Sequence, residues 1–118
     1  MKWIILIGDE TLTLESIKAI HHYGSISRHD VSEDRYCVVY GEKDHIFYDF
    51  TDKIVGYEES DLNEIPYKNP HFIVMIYKSE ERMKDIIQQN NFLRDIYIDN
   101  DKDLIVPIEE FIELGMPL

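Results

Sequence analysis

Cysteine, basic side chains, glycine and long apolar runs are all scarce in this chain, and each scarcity excludes something. One cysteine, Cys37, stands among 118 residues. It has no partner within the chain, so no internal disulfide forms, and a reducing compartment is expected. The opening apolar run, Trp3 to Ile7, is ended by Asp9 and Glu10. That is too short for a secretory core followed by a small-residue cleavage site, and no run reaches membrane-spanning length. A cytoplasmic protein with no membrane contact is expected. Lys and Arg number 12 against 24 Asp and Glu, a formal net charge of -12. Nucleic-acid binding depends on Lys and Arg neutralising phosphates, and no basic arm or patch exists here, so no nucleic-acid partner is expected. Five glycines are dispersed and build no phosphate-cradling loop; nucleophile-elbow and paired-histidine zinc motifs are equally absent. No cofactor is expected, and binding is favoured over catalysis.

What remains is a well-equipped globular chain. Hydrophobic residues make up 44%, so the charge excess does not signal disorder, which needs low hydrophobicity as well. The length suits a single globular domain over residues 1–118 with a core that needs no staple. Acids and bases are spread evenly along it. Such a charge confers solubility and speeds encounter with positively charged matter.

The apolar pattern predicts an α/β fold. Residues 2–7 read as a buried strand. Leu14, Ile17, Ile20 and Tyr23 predict one face of a helix over 12–23, with Gly24 at its C′ position. Residues 25–31 form a weak edge strand. Residues 35–40 and 45–50 flank Gly41 to Asp44 as a β-hairpin. With a four-residue loop, Tyr40 faces His45, Val38 faces Phe47 and Tyr36 faces Asp49. A short helix begins near Glu58, a second buried strand covers 71–77, and Ser79 caps a helix whose apolar face is Met83, Ile86 and Ile87. A short strand at 96–98 and a last helix opened by Pro107 complete the order β-α-β-β-β-(α)-β-α-β-α. The two strand–helix–strand units predict parallel pairs, and the hairpin antiparallel ones, hence a mixed, mostly central β-sheet with helices packed on it.

Three constellations carry possible chemistry. Counting Asp99 as position 1 of an EF-hand-type calcium loop, Asp101 is 3, Asp103 is 5 and Glu110 is 12. Leu104 stands where that loop wants glycine, and Pro107 takes position 9. A solvated acidic turn is the simpler expectation, with Asp99, Asp101, Asp103 and Glu110 as the metal candidates. Secondly, Ile4 to Glu10 resembles the first strand of a bacterial response-regulator receiver domain, which ends in acidic residues that hold Mg²⁺. The resemblance covers residues 1–25 and implies a divalent-metal site using Asp9, Glu10 and Asp49, the last as phospho-acceptor. Where a receiver places a Lys after its last strand, this chain has Asp99, Asn100 and Asp101. Residues 24–50 also read as β structure, where a receiver has its second helix. The third is aromatic: Tyr36, Tyr40 and Phe47 on one hairpin face beside Asp49 suit the gripping of a basic protein, because Tyr is enriched at binding hot spots. Cys37 and His45 fall on opposite hairpin faces in that register and make no nucleophile pair; the five histidines show no ligand spacing.

The expectation is therefore a small acidic cytoplasmic binding protein that recognises a basic protein partner, of the inhibitor or immunity-protein kind. Its partner-binding candidates are Tyr36, Tyr40, Phe47, Asp49, Asp99, Asp101 and Asp103. A metal-binding or receiver-like signalling domain is the alternative.

Overall fold

The structure, a computed structural model, describes residues 1–53 and 57–118. Its elements in chain order are β1 (Lys2–Gly8), α1 (Leu14–Lys18), β2 (Ser27–Ser32), β3 (Arg35–Gly41), β4 (Asp44–Thr51), α2 (Glu59–Asn63), β5 (His71–Tyr77), α3 (Glu80–Ile87), β6 (Tyr97–Asp99), β7 (Ile105–Pro107) and α4 (Ile108–Glu113). The seven strands make one sheet in the order β2-β3-β4-β5-β1-β6-β7. Every neighbouring pair is antiparallel, which corrects the expected parallel pairs. The crossover logic nevertheless survives in altered form. β5 and β6, joined through α3, both run antiparallel to β1 and therefore parallel to each other, with β1 lying between them. A helical connection is long enough to step over one strand, and here it does.

Side chains alternate across the sheet, and the two faces meet different company. Ile4, Leu6, Tyr36, Val38, Ile46, Tyr48, Ile73, Met75, Tyr77 and Ile98 point to the inner face. There Leu14, Ile17, Met83, Ile86, Ile87, Ile108 and Phe111 from α1, α3 and α4 pack on them in one cluster. The outer face is covered only in part. Residues 57–67, which include α2, bring Ile65, Tyr57 and Tyr67 over Ile5, Ile7 and Phe72.

Helix α3 is capped as its sequence requires: Ser79 Oγ accepts from the Arg82 N–H at 3.2 Å, and Met83, Ile86 and Ile87 are buried. Helix α1 is shorter than its periodicity predicts. Leu14, Ile17 and Ile20 are buried as expected, but Tyr23 is exposed. The chain leaves the helix after Lys18 and turns at Gly24, whose φ of 83° suits glycine. His22 enters the core in place of Tyr23. Gly8 is needed where β1 ends, because a Cβ there would stand 2.9 Å from Leu12 Cβ.

The β3–β4 hairpin differs from expectation by one residue of register. Gly41 pairs with Asp44, leaving Glu42 and Lys43 as the turn, and the ladder shifts between Val39 and Gly41. Tyr36 therefore pairs with Tyr48, Val38 with Ile46, Cys37 with Phe47 and Arg35 with Asp49. A one-residue slip exchanges the faces of one strand relative to the other. Tyr36 and Tyr40 accordingly lie on the inner side, whereas Phe47 and Asp49 lie on the outer side, so the expected aromatic face does not exist. The stretch after Ile98, expected as a turn from strand to helix, instead continues β6 through Asp99, loops over residues 100–104 and returns as β7 in a second hairpin.

Candidate functional site: an acid-rimmed cleft on the outer sheet face

Among the described residues, none packs over the outer face beyond the reach of residues 57–67. Across it the registers place Trp3 beside Ile76, Ile76 beside Phe47, and Phe47 beside Cys37. The next row runs Ile105, Asp99, Ile5, Val74, Asp49 and Arg35. Trp3 is 45% exposed although it sits in a strand whose later residues are fully buried. A cleft of about 620 Å³ opens beside it. Its floor is Trp3, Ile5, Val74 and Ile105; Tyr57 forms a wall; and Asp61, Glu64, Asp99, Asp101 and Asp103 supply five carboxylates, with no Lys or Arg among the lining residues.

The β6–β7 loop holds its own carboxylates in place. Asp99 is nearly buried. Its Oδ2 accepts from the Tyr57 hydroxyl at 2.5 Å and its Oδ1 from the Asp101 N–H at 2.8 Å. Asn100 Oδ1 accepts from the N–H groups of Lys102 and Leu104, while its Nδ2 donates to the Pro117 carbonyl. Asp101 and Asp103 adopt φ of 60° and 66°, a left-handed conformation that Asp tolerates better than most residues. Burial, and then the acceptor Asp99, push the Tyr57 hydroxyl well above the usual tyrosine range, so it remains a donor. Tyr57 thereby ties the segment leading into α2 to the sheet. Tyr57→Phe is expected to cost about 1–3 kcal/mol, the range for losing a hydrogen bond to a charged group, read as a lower urea midpoint at neutral pH. An unchanged midpoint would mean that the tie carries nothing.

At the other end of this face Asp49 is held by Arg35. Nε and one terminal nitrogen each reach a carboxylate oxygen at 2.6 Å, and the guanidinium carbon lies 4.9 Å from the Phe47 ring centre. An Asp engaged in this way is a poor phospho-acceptor. Asp9 is engaged locally, accepting from the N–H and hydroxyl of Thr11, which lower its pKa; Glu10 meets Asn69. The acidic set implied by the receiver resemblance is thus not assembled. The calcium spacing fares no better. Glu110 lies exposed on α4, whose buried residues Ile108 and Phe111 join the inner-face core, while the loop carboxylates rim the outer cleft. Among the described residues no three His, Cys, Asp or Glu side chains converge as a metal-holding group.

Of the seven partner-binding candidates, Asp99, Asp101 and Asp103 line the cleft, while Phe47 and Asp49 lie on β4 at the other end of the same outer face. Tyr36 is buried inside, its hydroxyl accepting from Arg28 Nε at 2.7 Å. Tyr40 is half-buried on the same inner side, where burial raises its hydroxyl to about 12. Sequence reasoning missed Trp3, Tyr57, Asp61 and Glu64. Trp3 hid inside an apolar run that reads as buried on both faces, and the other three lie in the irregular stretch before β5, where no periodicity points to the sheet. Among the described residues no helix is long and apolar enough to cross a membrane. In comparisons with known proteins no family model matches the chain, and neither does any curated protein or solved structure.

Proposed function

We propose that the chain is a small acidic binding protein that docks a basic protein partner on the open outer face of its sheet, as intracellular inhibitors and immunity proteins of cationic toxins do. One observation carries this reading: exposed Trp3 and half-buried Val74 and Ile105 lie beside a rim of five carboxylates that no Lys or Arg among the described lining residues neutralises. An apolar centre with a charged rim is the usual build of a protein interface, and the sign of the rim selects a basic occupant. Enzymes that grip phosphate-rich substrates present such basic surfaces, so an acidic ligand would compete for the same groove. A cytoplasmic location agrees with the lone Cys37.

The test is a titration with hexa-arginine peptide and, separately, with a cationic nuclease whose activity is read alongside. Binding is expected at about 20 mM salt and should weaken at least tenfold at about 300 mM, where the screening length is only about 5–6 Å. A wild-type protein that binds neither probe at the lower salt would refute the reading.

A further inference from the structure

The chain repeats one arrangement three times: a cation over an aromatic ring with a carboxylate beside it. Arg82 stands 3.9 Å from the Tyr40 ring centre and bonds Asp44 at 2.9 Å. Arg35 stands 4.9 Å from that of Phe47 and bonds Asp49. Lys18 and Arg28 both lie 5.5 Å from that of Tyr36, and Lys18 bonds Asp30. Trp3 has the ring and the carboxylates without the cation. Indole binds cations over its face better than phenyl or phenol does. Asp99 and Asp101 line the cleft at its side, yet among the described residues no cation of the chain lies over it. Lys2, its neighbour, is drawn to Glu80 at 3.0 Å. Lys2 and Lys102 line only the smaller cleft of about 310 Å³, which shares Trp3 and Asp101 with this one.

Resting on the proposed function, we propose that Trp3 seats the guanidinium of one arginine from the basic partner, with Asp99 and Asp101 accepting its N–H groups. Arginine suits the place better than lysine. Its planar fork can stack on the indole and reach a carboxylate at the same time, as Arg35 does on Phe47 and Asp49 along the same face. The occupant is a protein side chain and not a lipid head group, because the remaining rim carboxylates, Asp61, Glu64 and Asp103, provide for further positive charges on a continuous chain.

Trp3 is the sole tryptophan, so its fluorescence reports the site directly. Titration with hexa-arginine at low salt is expected to change the emission saturably, with hexa-lysine binding more weakly at equal charge. In anisotropy with labelled hexa-arginine, Trp3→Leu should weaken binding about three- to thirtyfold, the range for a cation–ring contact. Trp3→Phe should recover part of that loss, and Tyr23→Leu, at an exposed aromatic that lines neither cleft, should leave the affinity near that of the wild type. Circular dichroism checks that each variant is folded. Hexa-arginine binding that changes less than about twofold in folded Trp3→Leu would overturn the assignment while leaving the basic-partner reading intact. So would tighter binding to phosphatidylcholine vesicles than to either peptide. Wild-type protein that binds neither peptide nor vesicles would remove both.

Discussion

Between pH 6.5 and 4 the wild-type protein is expected to lose about 3 kcal/mol of folding stability relative to His22→Gln. His22 is 2% exposed. Its Nδ1 lies 3.0 Å from the Ile20 carbonyl, which can only accept, so Nδ1 carries the proton and donates. Nε2, 2.7 Å from the Tyr48 hydroxyl, must then accept. Both nitrogens are satisfied in the neutral ring alone. Burial first, and then the nearby Arg28 charge, lower its pKa from 6.5 to about 4, with His21 adding a little in the same direction and the Ile20 bond opposing. The neutral form is the one the fold prefers, so the contribution is fully present above 6.5 and is lost as pH falls through 4. A second proton would also turn Nε2 into a donor and leave the buried Tyr48 hydroxyl hydrogen without an acceptor. A loss of this size is a large part of an ordinary domain's margin. Carboxylates titrate over part of the same window: their protonation relieves repulsion in so acidic a chain but removes the pairing of Glu80 with Lys2 and Lys84. Comparing wild type with His22→Gln cancels those contributions. Urea midpoints for the two proteins that run parallel from pH 7 to 4 would refute this account.

Neutralising Asp99, Asp101 and Asp103 to Asn is expected to lower affinity for a basic partner about ten- to a hundredfold at low salt, mostly through slower association. Three of the five rim charges disappear, and the chain still carries a large negative charge. The fold should tolerate the change. Asn adopts the left-handed conformation of positions 101 and 103 as readily as Asp; at 99 its single amide oxygen keeps only one of the two acceptances, from Tyr57 or from the Asp101 N–H, a loss of about 1–3 kcal/mol that lies within an ordinary domain's margin. The matched control is Glu109, Glu110 and Glu113 to Gln on α4, three exposed acids of that helix that do not line the cleft. That variant has the same net charge and, with both triple variants compared at about 100 mM salt where the screening length is about 10 Å, should bind within a few fold of wild type. Equal losses in the two triple variants would mean that the overall field, and not this cleft, attracts the partner. Surface plasmon resonance on an immobilised basic peptide separates association from dissociation and decides the matter.

Most elements were legible because their signals are local. The apolar run of β1, the Ser79 cap with Met83, Ile86 and Ile87 behind it, and the two arms of the β3–β4 hairpin are each written within a few residues. The register of that hairpin was not. Tyr36, Val38, Ile46 and Tyr48 are apolar or aromatic, but so are Cys37, Val39 and Phe47, and alternation cannot choose a register when both faces look alike. Strand pairing was hidden for a different reason. A strand–helix–strand unit specifies that β5 and β6 run parallel, and it is silent on whether another strand lies between them. The site was half legible. Acid spacing marked 99, 101 and 103, although as ligands of one ion; they are in fact fixed by backbone N–H groups and Tyr57 as a rim. The role of Trp3 depends on how far residues 57–67 reach across the sheet, which no pattern near position 3 records.

The position of β1 bears on how the protein is made. Ile5 pairs with Val74 on one side and Asp99 on the other, so β1 gains neither neighbour until residues far along the chain are made. Pairings so distant in sequence slow folding and leave a sticky apolar segment at large during synthesis. A stop anywhere before residue 71 would release β1 without either of the strands it pairs with in the fold.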